Sequence, residues 1–510
     1  MKVVGFICKL WIVCAALCML TSNVTTAQTI SPALDDRLHR VDQNERMRVL
    51  VQMRRRVRPE TFQRSTRARQ QMIETMRRRT ETDQRPLRLI LEQEGVTDVT
   101  SLWINNTLAV SATPAVIRRL ARSPQVVGIR PDEVVTMGSK QPAGEAGPSW
   151  HLDAVGAPWL WSLGFDGTGI VVASMDTGVD VYHPDLGPRW RGGDNSWKDV
   201  HNQYSLPHDY DGHGTATMGI MVGGWHSGDP IGAAPGAQWI AVKIFDDNGN
   251  ALYSKIHEGF QWLLDPDGDP NTADAPDVVN NSWGLHDAVN KCIDEFQHDI
   301  DMLKAAGIAV VFAAGNAGPA EGTSVSPANH PSNLSVGAIR TDGSIAFFSS
   351  RGPAPCSGAI FPSLTAPGMS IRSADLTGDG AILDSYADVS GTSHAAALVS
   401  GGLAVLMSAF PAMEAARLER ALVLSAFLPP GAAADNAYGH GMLNLPAAYA
   451  LAASARPEDL DGDFAFGLSD LVVLADEWLF PACVYCRGDL NNDGVVNLSD
   501  FAHLAAYFGQ

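Results

Sequence analysis

Two apolar runs, Ile170–Met175 (IVVASM) and Ile308–Ala313 (IAVVFA), constrain the fold of this 510-residue chain most strongly. A strand that is apolar at nearly every position is buried on both faces, and such strands belong to parallel sheets covered by helices. The intervening sequence supplies those helices. Ser254–Leu264 sets Ile256, Phe260, Leu263 and Leu264 on one helical face. Asp277–Val279 leads a strand into Asn280-Asn281-Ser282-Trp283-Gly284, and Val289–Ala306 reads as a helix stopped at Gly307. This alternation, sustained from 150 to about 453, predicts an α/β fold for a domain at 143–453: a doubly wound, mostly parallel sheet with helices on both faces.

The segment before it has a different grammar. Residues 46–52 (RMRVLVQ) read as a strand and 60–94 as a charged helix with an apolar stripe at Leu87, Leu89, Ile90 and Leu91. Residues 100–112 suggest two strands broken at Asn105-Asn106, Pro114–Arg122 a helix opened by proline, and Gln125–Val135 a strand. The β-α-β-β-α-β order predicts a small α+β, ferredoxin-like domain. A Gly- and Pro-rich linker, 138–148, follows, and should be exposed and cleavable. Charge divides at the same place. Residues 28–140 carry a net +8 and residues 141–510 a net −29. A basic arm could bind nucleic acid, but its only aromatics are Phe62 and Trp103, too few for that reading. Two parts of one precursor that attract each other account for the split better.

Residues 1–27 read as a signal peptide: Lys2 and Lys9, then eleven apolar residues, Leu10–Leu20, then small residues before cleavage after Ala27. Eleven is too few to span a bilayer, so the mature chain is expected to be secreted or held at the cell surface with no transmembrane segment. Four cysteines then remain, Cys292, Cys356, Cys483 and Cys486. An even number in an exported chain favours disulfides over a zinc site.

Four short strings fall at element ends: Asp176-Thr177-Gly178, His213-Gly214-Thr215, Ala314-Gly315-Asn316 and Gly391-Thr392-Ser393. A serine hydroxyl needs an adjacent base, an imidazole titrates near the working pH, and a carboxylate fixes its tautomer. In this order the strings resemble the subtilase family of serine proteases over roughly 300 residues. The resemblance implies Asp176, His213 and Ser393 as a catalytic triad, with Asn316 and the Ser393 N–H stabilising the oxyanion. It implies that Ser282, Trp283 and Gly284 pair with substrate backbone. It also implies that residues 28–142 are an inhibitory propeptide, removed by cleavage within 135–150. Protein or peptide substrates follow, and no cofactor is needed for the chemical step.

The string from Asp265 through Gly284 looks closest to the bacillopeptidase F group, as do a cysteine in the following helix and another after Arg351-Gly352-Pro353. This implies a Cys292–Cys356 disulfide. The chain departs from the family at His394 and Ala397, where Met and Pro are usual, and at Ala216, where His is usual.

The tail, 457–510, repeats itself with a period of 30: an acidic loop, then Leu-Ser-Asp, then a helix. The helical apolar faces are Leu471, Leu474 and Trp478, and Phe501, Leu504 and Phe508. This resembles a dockerin, a pair of EF-type Ca2+ loops. The resemblance implies side-chain ligands Asp459, Asp461, Asp463 and Asp470 in the first loop and Asp489, Asn491, Asp493, Asn497 and Asp500 in the second. The carbonyls of Ala465 and Val495 complete the sets. Phe464 stands where the second loop has Gly494, and Gly467 lacks a ligand side chain, so the first site should be weaker. A cohesin-like or cell-surface partner would follow. Asp265–Asp269 (DPDGD) is a further calcium candidate. The rival reading from another class is a non-catalytic surface protein that binds through this tail.

Overall fold

The computed structural model describes residues 29–59, 66–144, 147, 149–479, 486–491, 493 and 495–507. The predicted signal peptide, Cys483, Gly494 and Phe508 lie outside the described residues. The chain divides into two compact units. One comprises Met1–Arg55, Glu81–Ser101 and Asn106–Asp132, and the other Arg56–Thr80, Leu102–Asn105 and Glu133–Gln510.

The first unit holds helix α1 (Pro32–Arg40), strand β1 (Met47–Met53), helix α2 (Thr66–Gln93) in part, strands β2 (Val99–Leu102) and β3 (Thr107–Ala112), helix α3 (Pro114–Leu120) and strand β4 (Val126–Pro131). The sheet order is β2-β3-β1-β4, with β1 antiparallel to both β3 and β4. Alternate residues Val49, Val51, Leu108 and Val110 meet Leu34, Leu38, Leu87, Leu91, Ile117 and Leu120 in one core. Two expectations need correction. Leu89 is exposed, because the helical face that packs here runs through Leu87 and Leu91, four residues apart. The strand read as Gln125–Val135 is two, since β4 ends at Pro131 and β5 (Val134–Thr136) pairs antiparallel with β9 (Asn250–Leu252) of the second unit. Helix α1 was not foreseen. Ser31 caps it, accepting from the Leu34 N–H, ahead of a proline in its first turn.

The second unit is built on seven strands: β6 (Val171–Asp176), β7 (Trp197–Asp199), β8 (Gln238–Lys243), β10 (Val278–Asn281), β11 (Ala309–Ala313), β12 (Leu334–Ile339) and β13 (Leu364–Pro367). Their order is β13-β12-β11-β10-β6-β8-β7, and every pairing is parallel. Each strand feeds two cores. On one side Val172, Trp239, Ala241, Val311 and Ala313 pack with helices α4 (His213–Val222) and α7 (Thr392–Ala409). On the other, Ala173, Met175, Ile240, Val310 and Phe312 pack with α5 (Tyr253–Leu264) and α6 (Gln297–Ala305). Burying each large apolar side chain contributes about 1.5–3 kcal/mol, so a charge at Ala173 or Ile240 would disrupt the sheet–helix contact. The continuous apolar runs are explained by this double burial.

Helix α6 begins at Gln297, not Val289. Residues 289–296 form a loop, and Cys292 within it is bonded to Cys356 with the Cα atoms 5.0 Å apart. The disulfide implied by the family resemblance is therefore present, but from a loop rather than a helix. Among the described residues only α7 is long and apolar enough to cross a membrane, and 89% of it is buried in the core. In the tail, helices α10 (Leu468–Asp476) and α11 (Leu498–Ala505) follow α8 (Ala415–Leu424) and α9 (Leu445–Ala453). Leu474 and Leu504 pack with Leu460 and Val496, while Phe501 points to solvent.

Candidate active site

Strand β6 occupies the position where the sheet order reverses, with β8 and β7 to one side and β10 to β13 to the other. In sheets of this type the carboxyl ends of the strands beside that reversal open a crevice. Asp176 ends β6, Ser282 follows β10, and Asn316 lies three residues beyond β11. His213 and Ser393 open the first turns of α4 and α7. His213, Ser282, Trp283, Asn316, Thr392 and Ser393 line one cleft.

Asp176 is buried, and its Oδ1 accepts from His213 Nδ1 at 2.7 Å and from the Thr177 N–H at 2.7 Å. With its Nδ1 so occupied, His213 turns Nε2 to the cleft. Burial acts to lower the His213 pKa, but the Asp176 carboxylate more than offsets it and leaves it raised. Ser393 Oγ donates to the Ser282 carbonyl at 3.3 Å, and Ser282 Oγ donates to the Ser393 carbonyl at 2.8 Å. The serine is thus tethered at the cleft by the strand end beside it. Asn316 Oδ1 accepts from the Thr392 N–H at 3.0 Å and from Thr392 Oγ1 at 2.9 Å. That pairing spends the carbonyl side of the amide and leaves its Nδ2 as a donor next to the serine.

The glycines of these motifs are dictated by packing. Gly178 has φ +122°, and a Cβ there would lie 1.9 Å from the His208 carbonyl oxygen. A Cβ at Gly214 would lie 2.1 Å from the Gly178 carbonyl oxygen. The chain therefore leaves no room for a side chain at the glycine two residues after Asp176 or at the one directly after His213.

Sequence reasoning placed Asp176, His213, Ser393, Asn316, Ser282 and Trp283 together, and they do converge. Trp283 presents little more than backbone, since its indole is buried against Phe260, Phe296 and Phe312 with Nε1 donating to Asn281 Oδ1. Gly284 stands outside the cleft lining, against Val325. Several supports were missed. Thr177 Oγ1 accepts from the Gly214 N–H at 2.9 Å and ties two motifs together. Thr392 orients Asn316. Lys243 is fully buried and donates to the Thr177 carbonyl at 2.8 Å. The two threonines sit inside the motifs already singled out, which was the available signal. Lys243 had none, being one lysine at a strand end.

Residues 137–141 also line the cleft. Met137 N–H donates to the Gly249 carbonyl at 2.9 Å, continuing the β5–β9 ladder, and Lys140 Nζ lies 3.3 Å from the Asp211 carboxylate.

In the tail, carboxylate oxygens of Asp459, Asp461 and Asp463 come within 4.8 Å of one another, a spacing suited to a shared cation. Asp470 is fully buried and accepts from the N–H groups of Leu460, Asp461 and Gly467. Asp500 repeats this, accepting from Asn491 and Asn497. In the second loop the Asp489, Asn491 and Asp493 side chains are drawn together by the Asp493 N–H and by Asn491 Nδ2 on Asp493 Oδ2 at 3.0 Å. Phe464 adopts φ +61° at the turn. Arg417 Nη2 lies 2.5 Å from Asp459 Oδ2.

Residues 167–441 match the Subtilase family. Bacillopeptidase F of Bacillus subtilis (strain 168) is 36% identical over 381 residues, which is 68% of this chain and 26% of that protein. The chain thus spans about a quarter of that relative. Subtilisin E of the same organism is 30% identical over 347 residues, covering 67% of this chain and 80% of the relative. Serine protease AprX, also from that organism, is 34% identical over 48% of this chain and 58% of its own length. A family match across more than half the chain, on a cleft with this residue set, establishes that the chain belongs to the subtilase family of serine endopeptidases.

Proposed function

We propose that this chain is an exported endopeptidase that hydrolyses internal peptide bonds of proteins through an acyl-enzyme on Ser393, and that it is made as a precursor. His213 Nε2 takes the Ser393 proton as Oγ attacks the scissile carbonyl. The resulting oxyanion is held by Asn316 Nδ2 and the Ser393 N–H at the start of α7. His213 then returns the proton to the leaving amine, and a water activated by the same imidazole releases the acid. Asp176 holds the tautomer throughout and stabilises the imidazolium. The observation that carries this reading is the 2.7 Å His213–Asp176 pair in one cleft with Ser393 and the Asn316 amide.

Residues 28–142 act as the propeptide, and self-cleavage falls within 135–150, where residues 137–141 line the cleft. Support comes from the passage of that segment along the cleft and from the +8 against −29 division of charge. Export rests on the apolar leader at 1–27. The tail binds Ca2+ through its two acidic loops, which would supply folding energy to a short segment with a small core. It then docks on a cohesin-like or cell-surface partner. Leu468 and Leu498, equivalent residues of the two repeats, are both largely exposed at 75% and 72% and offer a duplicated apolar patch for that partner.

The test compares the wild-type chain with Ser393→Ala. The wild type should shorten itself and digest casein, whereas the alanine form should remain full length and inert. Unaided maturation of the alanine form would overturn the mechanism.

A further inference from the structure

The route of residues 133–141 along the cleft narrows which peptide bond meets Ser393. Up to Met137 the chain runs as a strand. The Glu133 carbonyl accepts from the Tyr253 N–H at 2.9 Å, Val135 faces Ala251 in register, and the Met137 N–H donates to the Gly249 carbonyl at 2.9 Å. Val135 is buried in the core that holds Ala251, Phe260 and Trp283, while Val134 and Thr136 on either side of it are exposed. Three residues past Met137, Lys140 Nζ donates to the Asp211 carbonyl at 2.9 Å and lies 3.3 Å from its carboxylate. That carboxylate accepts from the His213 N–H at 3.1 Å, so Lys140 is anchored on the flank of His213. His213 protonates the leaving amine, which puts this flank on the leaving side.

Between the two anchors lie Gly138 and Ser139, both on the cleft lining. A Cβ at Gly138 would lie 2.8 Å from His286 Nε2 and 3.2 Å from its Cε1. Non-bonded carbons rest about 3.5–4.0 Å apart, so no side chain fits there while the ring keeps its place. The backbone that carries the ring is braced. The Leu285 N–H donates to the Ser326 carbonyl at 2.8 Å, the His286 N–H to the Gly284 carbonyl at 3.1 Å and the Ala288 N–H to the Leu285 carbonyl at 3.0 Å. Leu285 is itself buried. In the same cleft, the recess between the chain ends that follow β10 and β11 is taken by Val325, whose Cγ2 would lie 2.8 Å from a Cβ on either Gly284 or Gly315.

We propose that His286 is a specificity-determining residue: its ring occupies the space into which the side chain on the acyl side of the scissile bond would project, so the enzyme cuts after glycine and cuts its own chain at Gly138–Ser139. The two adjoining bonds would bring Met137 or Ser139 to that same place. Of the three residues only Gly138 carries nothing that meets the ring. A larger side chain must push His286 aside or hold its own carbonyl out of line with Ser393 Oγ, and a misplacement of about 1 Å costs about 10²-fold in rate. Val325 keeps the neighbouring recess from serving as an alternative. The preference therefore comes from bulk that the chain itself supplies, on a braced backbone. This inference rests on the endopeptidase and propeptide readings above and narrows the second to one bond.

The experiment has two readouts. N-terminal sequencing of the self-processed wild type should find Ser139 first. Peptides with the sequence of residues 133–143, varied only at the position of Gly138 to Ala, Leu or Phe, are then offered to wild type and to His286→Ala. Wild type should cleave the glycine peptide at least about tenfold better in kcat/KM than the leucine and phenylalanine peptides. His286→Ala should raise the leucine-to-glycine ratio of kcat/KM by about tenfold or more, and a ratio is indifferent to the fraction of enzyme that folds. Should His286→Ala yield no folded enzyme, His286→Ser is scored the same way. A new N-terminus other than Ser139, or a ratio that the substitution leaves unmoved, would overturn the proposal. A chain that cuts the peptides but never shortens itself would end the propeptide reading and leave the ratio to decide on His286. A chain inert on every peptide and on casein would end the endopeptidase reading and this inference with it.

Discussion

Among the described residues two histidine–carboxylate pairs are buried, and only one of them is built to move a proton. His213 donates Nδ1 to Asp176 at 2.7 Å and keeps Nε2 at the cleft. His257, on α5, has both ring nitrogens taken, Nδ1 by Asp299 at 2.5 Å and Nε2 by Glu295 at 2.9 Å. Its ring is fully buried against Phe296. Burial acts to lower the His257 pKa, but Asp299 and Glu295 together push it up to about 9. An imidazole held as a cation by two carboxylates has no lone pair with which to accept a serine proton. One held by a single carboxylate, beside a hydroxyl and open on its far side, does. Proximity of His to Asp is therefore a poor marker of a catalytic site, and the informative feature is the unspent nitrogen.

The comparison breaks most sharply under substitution of each histidine. His213→Ala should lower kcat by about 10⁶-fold, the loss measured in subtilisin when the triad histidine is removed. His257→Gln should leave kcat/KM per correctly folded molecule within about threefold. It should nevertheless destabilise the fold by about 3–5 kcal/mol, because Asp299 and Glu295 then lose their counter-charge. Active-site titration combined with thermal melts separates the two effects. The pH dependence has a definite sign. The folded pKa of His257 lies above its ordinary 6.5, so its stabilisation is complete below pH 6.5 and is lost as pH rises through about 9. Wild type should lose stability across that window, while His257→Gln should not, and parallel curves would refute the assignment. Activity moves the other way. His213 works as a neutral base and its pKa is also raised, so the acidic limb of kcat/KM should lie above 6.5.

The sequence displayed one of these pairs and concealed the other. Asp176 and His213 stand in short glycine-bearing strings because Gly214 passes so near Gly178 that a Cβ on it would lie 2.1 Å from the Gly178 carbonyl oxygen, and close approach leaves a trace in residue type. His257 sits mid-helix on α5 and Asp299 in the first turn of α6, among residues of ordinary composition, so nothing local announced them. The same distinction governs the fold. Strands buried on both faces were legible from unbroken apolar runs, and α5 from its 3.6-residue period. The 289–296 loop was misread as helix because its tether to Cys356 is a long-range constraint, absent from local periodicity. The pairing of β5 with β9 escaped notice for a similar reason, since the two strands lie more than a hundred residues apart.

A smaller effect sharpens the contrast on the cleft side. Asn316→Ala should lower kcat by about 10²–10³-fold, or roughly 2.7–4 kcal/mol, the range measured for the equivalent donor in subtilisin, with KM little changed. Thr392 should report its positioning role. Thr392→Val removes one of the two hydrogen bonds that turn the Asn316 amide and keeps the backbone donor, so its loss in kcat should be smaller than that of Asn316→Ala. A KM effect in place of a kcat effect would remove Asn316 from the transition state.

The smallest effect concerns a third histidine. His394 follows Ser393, is buried, and has its ring centre 5.8 Å from that of His213. Burial first, and the charge of His213 second, push its pKa down to about 3, so it stays neutral wherever His213 works. A neutral ring there adds no charge beside the imidazolium that forms during turnover, which a cationic neighbour would oppose. His394→Met should therefore change kcat/KM by no more than about threefold. It should also introduce a thioether next to the nucleophile, whose conversion to sulfoxide places a polar oxygen in the cleft. The variant should lose activity progressively in hydrogen peroxide while wild type retains it. A fall of more than tenfold in kcat, with peroxide resistance unchanged, would mean that the imidazole takes a direct part in turnover, and that the cleft holds two working histidines.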